Sequence, residues 1–120
     1  MTQMISDVEL RTQLEDGVPV LSVRGQVDLS AVTALGEGLD ALTAQVSPVV
    51  VVDLGDVTFL DSQGLGALME AQWRVEAEDA ELRVVLGPSL RRVFGLAGLL
   101  ERFSVCDTVE EALAGRCAWA

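Results

Sequence analysis

Residues 48–68 read PVVVVDLGDVTFLDSQGLGAL and contain the two elements around which the rest of the chain is arranged. The opening run is short, unbroken in its apolar character and introduced by Pro48. That is the pattern of a strand covered on both faces, as parallel strands flanked by helices are. Downstream, Leu65, Leu68, Met69 and Trp73 recur at three and four positions, the stripe of an amphipathic helix. Between the two, the strand is expected to end near Leu54, and GDVTF reads as a loop in which Gly55 and Asp56 suit a turn. Asp61 and Ser62 then stand at the mouth of the helix. A buried strand feeding a helix is half of a parallel crossover unit, so more of the same is expected on either side.

Upstream, Val8, Leu10, Thr12 and Leu14 alternate with Glu9, Arg11 and Gln13, the period of a half-buried strand. Asp16-Gly17 supplies a turn, and VPVLSVRG makes the second arm of an antiparallel hairpin. Pro19 belongs where no ladder donor is needed. After Gly25 the period changes to that of a helix carrying Val32, Leu35, Leu39, Leu42 and Val46, weakened by Gly36 and Gly38. Downstream, ELRVVLG is a second buried strand, and Gly87-Pro88 opens a third helix with proline in its first turn. A short strand is expected through residues 103–105. Asp107 with Glu110 reads as a capping box for a last helix closed by Gly115. The sequence thus predicts an α/β fold: a single mixed β-sheet, an N-terminal antiparallel hairpin followed by parallel strands, and helices packed against it.

Composition bounds the function. The 120 residues, half of them apolar, suit one domain spanning residues 1–120. No basic patch with a following apolar run opens the chain, and no apolar stretch approaches the roughly 20 residues of a membrane span. A cytoplasmic protein without membrane insertion is expected. Cys106 and Cys117, with ten residues between them, match neither a redox pair nor a zinc half-site and read as packed or idle thiols in a reducing compartment. A formal charge of −11 argues against a nucleic-acid partner, because such binding needs clustered basic residues. All eight basic residues are arginine and histidine is absent, which removes every mechanism needing a histidine base or an amine nucleophile.

Three readings of Ser62 follow. As a helix cap, its hydroxyl would accept a free backbone N–H, for about 1 kcal/mol. As a phosphoacceptor, it would carry an added phosphate toward the positive end of the helix dipole, with Gly64 beside it. As a catalytic nucleophile it lacks a base, since neither histidine nor lysine is present and Asp61 is a poor substitute. The GLG at residues 64–66 is not a dinucleotide fingerprint, and no Walker lysine exists. Asp53, Asp56 and Asp61 could in principle hold magnesium at a strand end, but carboxylates there are commonly solvated or turn-forming. A response-regulator receiver, which shares the alternation and such an acidic cluster, requires a lysine that this chain lacks. Neither a metal nor a cofactor is expected. In RGQVDLS, Asp28 precedes the first helix, where it can cap, and the sheet edge could bring it near Ser62. In LRRVFGLAGLL, Phe94, Leu96 and Leu99 are mostly core, with one or two left for a partner.

Taken in register, GQVD, VVVVDLGDVTFLDSQGLGAL and LRRVFGLAGLLERFSVCDTVEEAL resemble the STAS domain of bacterial anti-sigma factor antagonists over nearly the whole chain. The family carries a G-E-L-D before its first helix, a D-S-x-G-[LI] signature and a closing D-x-x-E-E-A-L helix. The resemblance implies a non-enzymatic protein that binds an anti-sigma factor serine kinase of the histidine-kinase-like ATPase fold and so frees a sigma factor. Phosphorylation at the position of Ser62 would eject it, and a metal-dependent serine phosphatase would reset it. Partner-binding roles are implied for Asp28, which would help position the kinase, and for Asp61, Gly64 and Leu65. Gly64 would let the partner's backbone or the phosphate approach, and Leu65 would anchor the helix. Two departures stand out: Gln63 is bulkier than the small residue usual after the serine, and EAEDAEL lacks a glycine before the next strand. The same fold also serves as an accessory subunit of membrane lipid or anion transport systems, an alternative in which Ser62 docks rather than signals.

Overall fold

The computed structural model describes residues 2–5 and 8–117. In chain order the elements are β1 (Thr2–Ile5), β2 (Val8–Glu15), β3 (Val18–Val27), a 3-10 turn (Leu29–Ala31), α1 (Val32–Thr43), β4 (Val49–Leu60), α2 (Ser62–Ala77), β5 (Glu81–Leu86), α3 (Pro88–Leu96), a second 3-10 turn (Leu100–Arg102), β6 (Ser104–Cys106) and α4 (Val109–Ala114). Six strands form one mixed sheet in sequential order. β1, β2 and β3 are antiparallel neighbours, whereas β3, β4, β5 and β6 run parallel. The expected hairpin is β2–β3, with Asp16 and Gly17 both at positive φ in its turn. β1, which the sequence reading did not anticipate, adds an antiparallel strand outside it.

Each crossover from β3 onward moves one strand in the same direction, and the right-handed rule then places all the connecting helices on one face. The buried residues divide accordingly. Leu21 and Val23 of β3, Val50, Val52 and Leu54 of β4 and Leu82, Val84 and Leu86 of β5 pack against Leu35, Leu39, Leu68, Ala71, Leu90 and Phe94 of α1–α3. Their alternate neighbours Val20, Val51, Val85 and Cys106 make a smaller apolar strip on the second face, covered by Ala112 and Val109 of α4. The central strands are thus apolar on both sides because helices lie on both sides.

Several expectations are corrected. GDVTF is not a loop: β4 runs unbroken to Leu60, with register shifts against β3 between Asp53 and Asp56 and again between Val57 and Phe59. Each bulge adds a residue to β4, so the buried positions recur as Leu54, Val57 and Leu60, at intervals of three instead of two. Val46 lies beyond α1 and is fully exposed, and Trp73 is half-exposed; the buried positions of α2 are instead Gly64, Leu68, Ala71 and Val75. The last helix is capped by Thr108, whose hydroxyl accepts from the Glu111 N–H at 3.1 Å, and not by Asp107. Asp107 is drawn away by an ion pair with Arg91. Cys106 and Cys117 are not idle thiols; they form a disulfide with a Cα separation of 4.4 Å. Gly87 and Gly115 hold their expected places, the first before Pro88 of α3, the second in left-handed conformation after α4.

The β4–β5 ladder ends at the pair Leu54 and Leu86, and the next residues of the two chains, Gly55 and Gly87, lie close together. A Cβ on Gly87 would stand 2.8 Å from the Gly55 carbonyl oxygen, a backbone atom that cannot turn aside. Gly87→Ala is therefore expected to destabilise the fold by about 1–3 kcal/mol, the cost of overpacking, as read from the urea midpoint. Gly36→Ala, where nothing lies within 4 Å of the added carbon, should leave the fold as stable as before or up to about 1 kcal/mol more stable.

Candidate functional site

The carboxyl ends of β3 and β4 build the site. Val27 pairs with Leu60 in parallel register, and one step further the Asp61 N–H donates to the Val27 carbonyl at 2.8 Å. That bond holds the start of α2 against the end of β3, so Asp28 and Asp61 leave the sheet side by side. Each then caps the turn that follows it. Asp28 Oδ1 accepts from the Ser30 N–H at 3.1 Å and from the Ser30 hydroxyl at 2.6 Å. Asp61 Oδ1 accepts from the Gln63 N–H at 2.8 Å.

Ser62 is accordingly not the cap; it is the first residue of α2, exposed to solvent, with the capping work done by Asp61. Its neighbour Gly64 is buried, and a Cβ there would lie 2.7 Å from a methyl of Leu60. The glycine lets helix and strand approach one another. Leu65 is partly buried and packs on the main core, so it roots the helix and offers a partner little surface. Two residues not singled out from the sequence carry exposed apolar surface close in the chain to the two caps: Leu29, beside Asp28, is 62% exposed, and Phe59, two residues before Asp61, is 50% exposed. Their only sequence signal is an apolar side chain next to a cap and beyond the main hydrophobic stripe. The rim therefore presents the Ser62 hydroxyl, a second hydroxyl on Ser30 that is bonded to Asp28, two carboxylates and two unburied apolar side chains.

The other carboxylates do not join it. Asp53 and Asp56 point from the second face of the sheet, at most about 26 Å and about 17 Å along the strand from Asp61 at ~3.3 Å per residue. Asp56 pairs with Arg24 at 3.6 Å, and Asp53 accepts from the Gly55 N–H at 2.9 Å. Burial raises the Asp53 carboxyl above its ordinary value of 3.8; the charges of Asp56 and Glu15 push the same way, and the Gly55 hydrogen bond opposes them. Among the described residues no group of three acidic, histidine or cysteine side chains is arranged to hold a metal ion, and no helix is long and apolar enough to cross a membrane.

The STAS domain family model matches residues 9–112. The chain belongs to the STAS domain family. It is 34% identical over 100 residues to the anti-sigma-F factor antagonist RsfB of Mycobacterium tuberculosis, covering 83% of this chain and 82% of that protein. The crystal structure of an anti-sigma factor antagonist from Mycobacterium paratuberculosis superimposes with a TM-score of 0.83 at 33% identity, over 94% of this chain and 97% of that one. The Bacillus cell fate determinant SpoIIAA in its phosphorylated form shares the fold, with a TM-score of 0.63 at 22% identity over 88% and 97% of the two chains.

The division of labour at this STAS rim can be measured. Asp61→Ala is expected to cost about 1 kcal/mol through loss of the cap, whereas Ser62→Ala should stay within about 0.5 kcal/mol of the parent, as an exposed non-capping position does. Urea unfolding of both separates the roles. For Asp53 the folded-state pKa lies above the unfolded one, so the unfolded chain releases its proton first as pH rises and stability falls through that window. The cost is absent below about pH 3.8 and present in full above the folded value. Asp53→Asn should therefore raise the melting temperature relative to the parent at pH 7 and leave it unchanged at pH 3.

Proposed function

We propose that this STAS domain is a cytoplasmic anti-sigma factor antagonist, that it docks an anti-sigma factor through the rim around Ser62, and that Ser62 is its phosphoacceptor. The observation that carries this reading is the exposed Ser62 hydroxyl on the first turn of α2, relieved of capping by Asp61. A phosphate there changes the surface charge by about −1.5 to −2 without removing a bond on which the fold depends. Leu29 and Phe59 supply apolar anchors of the kind that dominate docking energy. Asp28 and Asp61 would orient the partner while Ser62 is bare. Once Ser62 is modified they would add to the negative field, and desolvating three neighbouring charges would oppose rebinding. The similarity to RsfB, named for antagonism of an anti-sigma factor, supports the partner class.

In this reading the protein is a substrate and a ligand, not an enzyme. The partner is an anti-sigma factor serine kinase of the histidine-kinase-like ATPase fold, and a metal-dependent serine phosphatase removes the phosphate. ATP and magnesium belong to those enzymes, and no nucleic acid takes part.

The test is phosphorylation in extract of the native host with ATP and magnesium, followed by peptide mapping. One phosphate on Ser62, absent from Ser62→Ala, is expected. Ser62→Asp should keep the parent's circular dichroism spectrum and bind the captured kinase at least tenfold less tightly. Leu29→Ala and Phe59→Ala should each weaken binding by about 1 kcal/mol or more. Phosphate elsewhere, or undiminished binding by Ser62→Asp, would sink the proposal. Recovery of a transport ATPase subunit in place of a kinase would favour the accessory-subunit role.

A further inference from the structure

The second face of the sheet carries a pair of groups that the docking rim does not use. Cys106 lies on β6, 2% exposed, within the strip of Val20, Val51 and Val85. Cys117 follows α4, where Gly115 at φ 74° turns the chain back, and it is only partly buried. Their disulfide therefore ties the far end of α4 to the strand that leads into it, closing a loop of sequence separation 11 around the whole helix.

We propose that Cys106–Cys117 is a reversible redox site, opened by low-molecular-weight thiols and closed by the matching disulfides, and that it controls how tightly α4 is held on the sheet. The chemistry follows from the unequal exposure of the two cysteines. An incoming thiolate attacks Sγ of Cys117, the less buried of the two residues. The bond between the cysteines breaks, and Cys106 leaves as a thiolate that takes a proton from water. A second thiolate attacks the reagent sulfur of the mixed disulfide and releases Cys117. Two reagent thiols are oxidised to one disulfide, and the protein gains two electrons and two protons.

Opening is local because other contacts of α4 do not pass through the cysteines. Thr108 caps its first turn, Arg83 donates to the Ala112 carbonyl at 2.7 Å, and Glu81 fixes Arg83 from the side at 2.9 Å. The main core lies on the opposite face. Reduction thus restores to the unfolded segment the freedom that the closed loop removed, and it loosens the cover over Val20, Val51 and Val85 while the Ser62 rim stays as it was. Reducing compartments keep such pairs open except as transient, sensing disulfides, which fits a site that closes on oxidation.

The test uses the full chain, equilibrated in buffers of reduced and oxidised glutathione. N-ethylmaleimide trapping with intact mass counts the thiols, and amide hydrogen exchange follows residues 107–117 and 59–68. Interconversion of a disulfide form and a dithiol form in both directions is expected. Exchange across 107–117 should be at least tenfold faster in the dithiol form, with 59–68 unchanged within twofold. Cys117→Ser should show the fast pattern in every buffer. The proposal fails if the cysteines never pair under oxidising conditions, if 107–117 exchanges equally in both forms, or if reduction accelerates exchange throughout the chain, which would make the bond a structural staple.

Discussion

The parallel pairing of β3 with β4 is the constraint on which the rest depends. It sets Val27 opposite Leu60 and lets the Asp61 N–H reach the Val27 carbonyl. Two turns far apart in sequence thereby start from adjacent points on one sheet edge. Parallel strands cannot be joined by a tight turn, so α1 must intervene, and its apolar face closes the core over the same strands. Were the register to slip by one residue, every side chain of β4 would change faces. Val50, Val52 and Leu54 would leave the main core, and Asp61 would lose its place beside Asp28.

The bulges in β4 extend this logic. Twelve residues of β4 run beside the shorter β3 because the extra residues are absorbed at two irregular points. Bulges bend and twist a strand locally, and here they lie between the regular pairing of Val51 and the rim at Leu60. A strand of this length without them would carry Asp56 and Thr58 inward with the period of two and turn Val57 away from the core. With them, Val57 takes the buried position between Leu54 and Leu60, and Phe59 stays half-exposed. The irregular backbone thus keeps a carboxylate and a hydroxyl out of the main core.

Much of this was legible in the sequence. The hairpin, the two unbroken apolar strands and the glycine and proline punctuation at Gly87, Pro88 and Gly115 fixed the order of elements, because each rests on a local signal of period or conformation. The motif around Ser62 was legible as well, and Asp28 was correctly linked to the same edge. What escaped depended on three-dimensional partners. The continuation of β4 through GDVTF was hidden because bulges erase the alternation that marks a strand. The cap moved from Ser62 to Asp61, and from Asp107 to Thr108, because neighbouring residues at a helix start compete by geometry that composition does not encode. Gly64 suggested close approach in both readings, but only the packing of Leu60 says that the visitor comes from inside. The disulfide escaped because two cysteines with ten residues between them fit no familiar pattern until α4 folds the chain back on β6.

Separating the cap from the acceptor has an energetic consequence. A hydroxyl that caps a helix contributes about 1 kcal/mol, and esterifying it would spend part of that contribution on each cycle. Leaving the cap to Asp61, a group that serine kinases do not modify, would uncouple the stability of α2 from the state of Ser62. The effect of a phosphate would then be concentrated where a partner would have to desolvate it. A charge at a solvent-exposed helix start costs the isolated domain little, and the positive end of the dipole favours it by up to about 1 kcal/mol. The same charge pressed into an interface beside Asp28 and Asp61 would incur desolvation and like-charge repulsion of several kcal/mol. That difference between the free and the docked protein, and not any change of fold, is what would make modification at this position decisive.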